Sequence, residues 1–274
     1  MREIIKIQDN QIAIKRRLVT TAKGTIIFLH HSSGSSSVWD QQWQSKTLSN
    51  YSLIALDLLG HGGSSHSNNP EQDYSLQGLA GIMAKAINAL TIDSYILVGL
   101  SISTNLIAEM ANQLDSCAGF FMAGASILSK EMSPADFMLS FEFGDVLFAV
   151  DPKEDCLTGY VKGLHENQKD NIDLALISDY KNTDPAYRIS IGNSVGSNQW
   201  SDELQILNKL QKPLGLVYGA EEKIITPHYL TSISLPKWEG KVHLLDAAGH
   251  LCHLDQPKLF NQLLAQFIID VLQL

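Results

Sequence analysis

The sequence predicts an α/β domain, a mostly parallel sheet with helices on both faces and a helical segment inserted late in the chain. Short, continuously apolar runs of strand length alternate with longer segments whose apolar residues recur at helical spacing. That alternation stops between about residues 125 and 203 and then resumes. With 274 residues, 45% of them hydrophobic and 18% charged, the chain is long enough to bury a large core.

"EIIKIQ" and "IAIKRRL" read as the first two strands and "GTIIFLH" (24–30) as the third. "YSLIALD" (51–57), "SYILVG" (94–99) and "CAGFFMAG" (117–124) are apolar almost throughout, as strands buried on both faces of a parallel sheet are. Between them, Leu76, Leu79, Met83, Ile87 and Leu90 share one helical stripe, and Ile102, Leu106, Met110 and Leu114 share another. Parallel strands joined through helices need right-handed crossovers, which cover both faces of the sheet. Residues 125–203 contain "SPADFMLSFEFGDVLFAVDPKED" and "LTGYVKGLHENQKDN" and read as an inserted helical lid, leaving 1–124 and 204–274 as the core. "KPLGLVYG" (212–219) and "KVHLLDA" (241–247) restore the strand pattern. Leu259, Phe260, Leu263, Leu264, Phe267, Ile268, Val271 and Leu272 place one apolar stripe on the last helix, which is expected to pack into the core.

Several function classes are disfavoured. A net charge of -9 argues against nucleic acid and against anionic membrane surfaces. No apolar run approaches membrane-spanning length, and the amides and acids of "MREIIKIQDNQ" do not suit a signal peptide. Cys117, Cys156 and Cys252 are odd in number and widely spaced, so neither a disulfide framework nor a metal site is expected. A soluble cytoplasmic protein is the expectation.

In a parallel sheet, ligands bind beyond the carboxyl ends of the strands. Four motifs fall there: "LHHSSGSSSVW", "VGLSIST" (98–104), "YGAEEKI" and "AAGHLCH". In "VGLSIST", Ser101 stands between a strand and a helix, with Gly99 two residues before it in the pattern of a nucleophile elbow. Such a serine is also an ordinary helix cap. What favours catalysis is the order of the motifs, which supply a serine, then an acid, then a histidine. His250 is the candidate general base, because an imidazole titrates near neutral pH. His253 reads as a residue of the pocket mouth, and His30, His31 and His61 as parts of other loops of the site. The acid is Glu221 or Glu222, with Asp246 as a fallback.

These motifs resemble those of the α/β-hydrolase superfamily over roughly residues 24–124 and 212–272. "LDLLGHGGSS" is similar to the loop after the fourth strand, "GLSIS" to the elbow, "YGAEE" to the acid turn and "AAGH" to the histidine loop. Within the superfamily the chain most resembles the N-acyl homoserine lactonases, through "HHSSGSSSVW", Glu222 and "WEGKVHLLDAAGH", and more weakly through "GDVLFAV", "GYVKG" and "GSNQW". The resemblance implies the α/β-hydrolase fold and a Ser101–His250–Glu222 triad, since the acid stands three residues after the strand-end glycine, Gly219. It implies an oxyanion hole made by the Ile102 and Ser32 amides. It also implies substrate contacts from Tyr160 and from His31, which stands where the superfamily usually has glycine. If that position needs a positive φ, the histidine is strained. Ser103 replaces one small residue by another and is expected to crowd the turn slightly, and Thr104 is bulkier than the glycine commonly found there, so the helix is expected to sit a little farther from the strands.

The expected function is a serine hydrolase of carboxylic esters or lactones that needs no cofactor, with a small-molecule substrate and N-acyl homoserine lactones as the specific candidate. A short-chain esterase, an acyltransferase, a C–C hydrolase and a non-catalytic ligand-binding protein are the alternatives on the same scaffold.

Overall fold

The structure is a computed structural model that describes residues 2–166 and 172–274. Residues 167–171 of the expected lid therefore lie outside the described residues. Eight strands form one sheet: β1 (Arg2–Ile7), β2 (Asn10–Arg17), β3 (Thr25–Leu29), β4 (Ser52–Leu56), β5 (Tyr95–Leu100), β6 (Cys117–Ala123), β7 (Leu214–Gly219) and β8 (His243–Leu245). Their spatial order is β1-β2-β4-β3-β5-β6-β7-β8. β2 runs antiparallel to its neighbours β1 and β4, and every pairing from β4 to β8 is parallel.

Burial explains the strand patterns. β4, β5 and β7 have no exposed residue, because helices cover both faces of the sheet at these positions. β2 lies near the edge and keeps charged residues at its end. The principal helices are α1 (Leu76–Asn88), α2 (Ile102–Met110), α3 (Glu154–Gly163), α4 (Leu174–Asn182), α5 (Pro185–Gly196), α6 (Glu203–Leu210) and α7 (Pro257–Leu272). Ser75 caps α1 by accepting a hydrogen bond from the Gly78 amide. In α7, Phe260, Leu264, Phe267 and Ile268 are buried as the stripe predicts. Leu259 departs from it, lying 46% exposed on the helix's outer side. Leu90 and Leu114 also continue their stripes but lie just past the last α-helical turn.

The segment between β6 and β7 holds α3, α4, α5 and α6. α6 packs on α2, so it belongs to the layer covering the sheet. The chain runs from β3 outward to β4, then returns to place β5 on the other side of β3. That reversal opens a crevice at the carboxyl ends of β3 and β5, where the loop after His30 meets Ser101.

Candidate active site

Ser101 sits between β5 and α2 with φ 55 and ψ -123, a backbone conformation costly for a residue with a side chain. The turn is over-determined by its surroundings. The Ser101 amide donates to the Ala123 carbonyl at 2.9 Å, and the Thr104 amide and hydroxyl both donate to the Ser101 carbonyl, at 2.8 and 2.7 Å. Gly99 permits the helix to approach, because a Cβ there would fall 2.5 Å from Ile107 Cδ1. The Ile102 amide is the first of α2 and has no partner within the helix, so it points its hydrogen out of the helix N-terminus.

Ser103 and Thr104 do not loosen this junction. The Ser103 hydroxyl donates to the His30 carbonyl, and the Thr104 hydroxyl accepts from the Ser126 amide at 3.0 Å. Both side chains are fully buried and tie α2 to neighbouring strand ends.

His250 follows β8 and is 3% exposed. Its Nδ1 lies 2.9 Å from Glu222 Oε2 and 3.1 Å from Oε1. A carboxylate accepts, so Nδ1 carries the hydrogen and Nε2 keeps a lone pair. Glu222 is held in turn: Oε1 accepts from the amides of Lys223 at 3.0 Å, Ile224 at 2.9 Å and Ile225 at 3.4 Å. Gly124, at φ 55, lies where a Cβ would come within 2.9 Å of His250 Cε1 and 3.1 Å of Nδ1, so the end of β6 leaves room for the His250–Glu222 pair. Glu221 is exposed and accepts from the Ala248 amide at 2.9 Å, clamping the histidine loop without reaching His250. Asp246 is exposed at the loop's outer edge.

The loop after β3 is braced by neutral imidazoles. His30 donates from Nδ1 to the His31 carbonyl and accepts from the Leu58 amide at Nε2. His61 donates to the Leu59 carbonyl and accepts from the Ser33 amide. Burial pushes the pKa of both rings below the ordinary histidine value, His61 far below, so each stays neutral and serves as donor and acceptor at once. Asp57 accepts from the Ser36 amide at 2.6 Å and from the Gly63 amide at 2.8 Å, pinning the loop's far end.

His31 is not the strained residue of this loop. The positive φ falls at Ser33, at 56°. His31 is buried, and its Nδ1 lies 2.8 Å from the Ser32 carbonyl. Burial, reinforced by the neighbouring His30, pushes its pKa down to about 3. His253 is corrected too: it does not line the pocket mouth but is fully buried, 4.6 Å from the Trp39 ring, with Nε2 donating to the Val38 carbonyl.

Contacts from the inserted segment give no signal in the sequence patterns. The Tyr187 hydroxyl donates to Ser32 Oγ at 3.2 Å, and its ring meets His61 edge-on. Buried Arg188 donates to Ser33 Oγ and to the Tyr180 and Val150 carbonyls. Asp179 accepts from the hydroxyls of Ser35 and Ser37. Asp255 joins the insert to the histidine loop, accepting from the Gly249 amide at 2.8 Å, the Glu166 amide at 2.9 Å and His165 Nδ1 at 3.0 Å.

Ser101, Ile102, His31, Ser32, Tyr160 and His250 line one pocket, about 750 Å³ of empty space with its open mouth included. The rest of its wall is largely apolar, including Phe137, Met138, Leu147 and Phe148 from the insert. Tyr160 is buried there, and burial pushes its hydroxyl above the ordinary tyrosine pKa. Among the described residues, no cluster of histidine, cysteine or acid side chains is arranged to hold a metal ion. No helix among them is long and apolar enough to cross a membrane.

The pocket sits where the sheet reverses. The structure of the N-acyl homoserine lactonase AidH in complex with N-butanoyl homoserine superposes with a TM-score of 0.91 at 22% identity, over 100% of this chain and 98% of that one. A putative aryl esterase from Burkholderia cenocepacia gives 0.83 at 21%, covering 100% of both chains. Esterase RhEst1 from Rhodococcus sp. ECU1013 gives 0.82 at 20%, covering 98% of both. An uncharacterized protein of Mycobacterium tuberculosis is 26% identical over 137 residues, which span 50% of this chain and 39% of that protein. The family described as "alpha/beta hydrolase fold" matches residues 24–257, from the start of β3 to the start of α7. Sheet order, elbow and family match agree, and the chain belongs to the α/β-hydrolase fold family.

Proposed function

We propose that the protein is a serine hydrolase of carboxylic esters and lactones, with Ser101 as nucleophile, His250 as general base and Glu222 as the triad acid. The observation that carries this reading is that Ser101, on a left-handed strand–helix turn, and His250, bonded to Glu222, line one apolar pocket. Ser101 Oγ attacks the substrate carbonyl while its proton passes to His250 Nε2. Glu222 stabilises the imidazolium through Nδ1–H. The amides of Ile102 and Ser32 receive the negative charge on the carbonyl oxygen, and the α2 N-terminus adds its dipole. His250 then returns the proton to the departing alkoxide. In the second half, His250 activates water, which releases the acid and restores Ser101. The 125–203 insert serves as the lid.

The specific substrate we propose is an N-acyl homoserine lactone, its acyl chain against Phe137, Met138, Leu147 and Phe148 and its carbonyl near Tyr160. Support comes from the apolar wall and from the likeness in shape to AidH, whose bound ligand is an acyl homoserine. The test is a panel of p-nitrophenyl esters, simple lactones and acyl homoserine lactones. Wild type should open the homoserine lactone ring, detected as a mass gain of one water. kcat/KM should rise with acyl length, as burial contributes about 0.8 kcal/mol per CH₂. Ser101→Ala should lose at least roughly three orders of magnitude in kcat and all labelling by a fluorophosphonate. Good ester hydrolysis without ring opening would leave only a general esterase, and labelling that survives in Ser101→Ala would remove the nucleophile.

A further inference from the structure

One wall of the pocket is polar in a way the triad does not use. Asn105 lies one helical turn beyond Ser101 on α2, and Ser126 lies just past β6; both line the pocket, and they are 2% and 9% exposed. Asn105 Nδ2 donates to the Ser126 carbonyl at 2.7 Å and to Glu203 Oε2 at 2.8 Å. Two acceptors on one nitrogen fix which way the amide faces. Asn105 Oδ1 accepts from the Ser126 hydroxyl, and the Ser126 amide donates to Thr104 Oγ1. Glu203 is fully buried on the far side, and its Oε2 also accepts from the Leu128 amide at 2.7 Å. Burial and the nearby charge of Glu109 push the Glu203 carboxyl well above its ordinary pKa.

The hydrogen-bond inventory is one-sided. Both amide hydrogens of Asn105, the Ser126 hydroxyl hydrogen and the Ser126 amide hydrogen are all committed within the protein. What this wall still offers is acceptor capacity, the lone pairs of Ser126 Oγ and the second lone pair of Asn105 Oδ1. A methylene placed there would desolvate these oxygens for no return, and a keto or ether oxygen would meet them lone pair to lone pair. A hydroxyl would satisfy them. Side chains one turn apart on a helix stand about 5–6 Å from each other. The matching group therefore belongs about two or three atoms beyond the scissile carbonyl carbon.

We infer that Asn105 and Ser126 are specificity-determining residues that select substrates bearing a hydroxyl two or three atoms from the reacting carbonyl. The inference rests on the hydrolase reading above and adds a substrate class to it. No bond is made or broken at this wall; it discriminates by hydrogen bonding alone.

The test uses the whole protein and matched substrates: methyl octanoate, its 3-hydroxy and 3-oxo derivatives, and ethyl against 2-hydroxyethyl octanoate. The first set reads the acyl arm and the second the alcohol arm. In at least one arm the hydroxylated member should exceed its plain partner by roughly tenfold in kcat/KM. If the acyl arm is the one selected, the 3-oxo ester should fall below plain octanoate. Ser126→Ala should bring the hydroxyl-to-plain ratio to about one. A wild-type ratio under about twofold in both arms overturns the inference while leaving the hydrolase reading intact, and so does a ratio that survives Ser126→Ala. If no ester is turned over, the hydrolase reading fails separately. Calorimetric titration of wild type with octanoate, 3-hydroxyoctanoate and 1-octanoylglycerol then decides, a tenfold preference for a hydroxylated ligand upholding the wall's role and equal affinities ending it. Should Ser126→Ala fail to give a cooperative melt, the wild-type ratios alone decide.

Discussion

Replacing Glu222 by glutamine would change which nitrogen of His250 carries the hydrogen. The side-chain oxygen would stay with the Lys223, Ile224 and Ile225 amides, which only donate, and the new NH₂ would face His250 Nδ1. Nδ1 would then have to accept, moving the hydrogen to Nε2, where no proton could be taken from Ser101. Glu222→Gln should therefore lower kcat by about four orders of magnitude, as a wrong-tautomer change in a triad does, with little change in melting temperature. Glu221→Gln keeps an oxygen for the Ala248 amide and should stay within about twofold of wild type. Steady-state kinetics on one ester would decide, and the reverse ranking would exchange the two roles. The residues of the proposed triad were legible because their backbone surroundings impose short local patterns, Gly99 before Ser101, Gly219 before Glu222 and Gly249 before His250. Asn105, Ser126 and Glu203 left no such trace. Asn105 meets Glu203 across 98 residues of chain, and no local spacing encodes that contact.

At the scale of elements, the strands and the helices beside them could be read from apolar periodicity, because the core enforces it. The insert could be delimited only as the place where that periodicity failed. Its two halves are attached differently. α4 and α5 are tied to the core by polar contacts: Asp179 to Ser35 and Ser37, the Tyr74 hydroxyl donating to Asp184 at 2.6 Å, Tyr187 to Ser32, and Arg188 to Ser33. Residues 133–148 are held to the core by apolar packing and by two backbone bonds, Leu139 N to the Ile224 carbonyl and Thr226 N to the Phe137 carbonyl, each 2.8 Å, and to α4 by the Tyr180 hydroxyl donating to the Val146 carbonyl at 2.7 Å. Local opening follows the weaker attachment. Amide hydrogen exchange should run at least about tenfold faster at Leu139 and Thr226 than at Tyr187, whose amide bonds to the Asp184 carbonyl. Equal protection in the two halves would show that the insert opens as one body.

The whole molecule carries an acid sensitivity built from its buried imidazoles. Burial holds His31 and His253 down to about 3, His61 far below its ordinary value and His30 below it. In the unfolded chain each takes up a proton near pH 6.5. Below that value the unfolded state binds more protons than the folded one, so stability falls on acidification from about pH 6.5 towards the folded pKa values. Each such histidine removes about 1.4 kcal/mol per pH unit in that window. Glu203 acts in the opposite sense, since its raised pKa gives stability that is complete below about pH 4.3 and lost as pH rises. Burial lowers His243 and raises Asp179 as well, and five histidines against two carboxyls should make the melting temperature drop steeply between pH 6.5 and 5. Scanning calorimetry across that range checks it, and a flat profile would mean that these rings are protonated in the fold. His253→Gln should shallow the slope.

Asp255 also sets a limit on how interchangeable the insert is. Its carboxylate joins Gly249 of the histidine loop to His165 and Glu166 of the insert, and the Leu251 amide donates to the Leu164 carbonyl at 3.0 Å. The seam between the two parts of the chain thus does not run only through the junctions after β6 and before β7. A chimaera that exchanged residues 125–203 for a relative's cap would sever these bonds in mid-segment. An exchange that kept these bonds would have to carry residues 125–203 together with the stretch from Gly249 to Asp255.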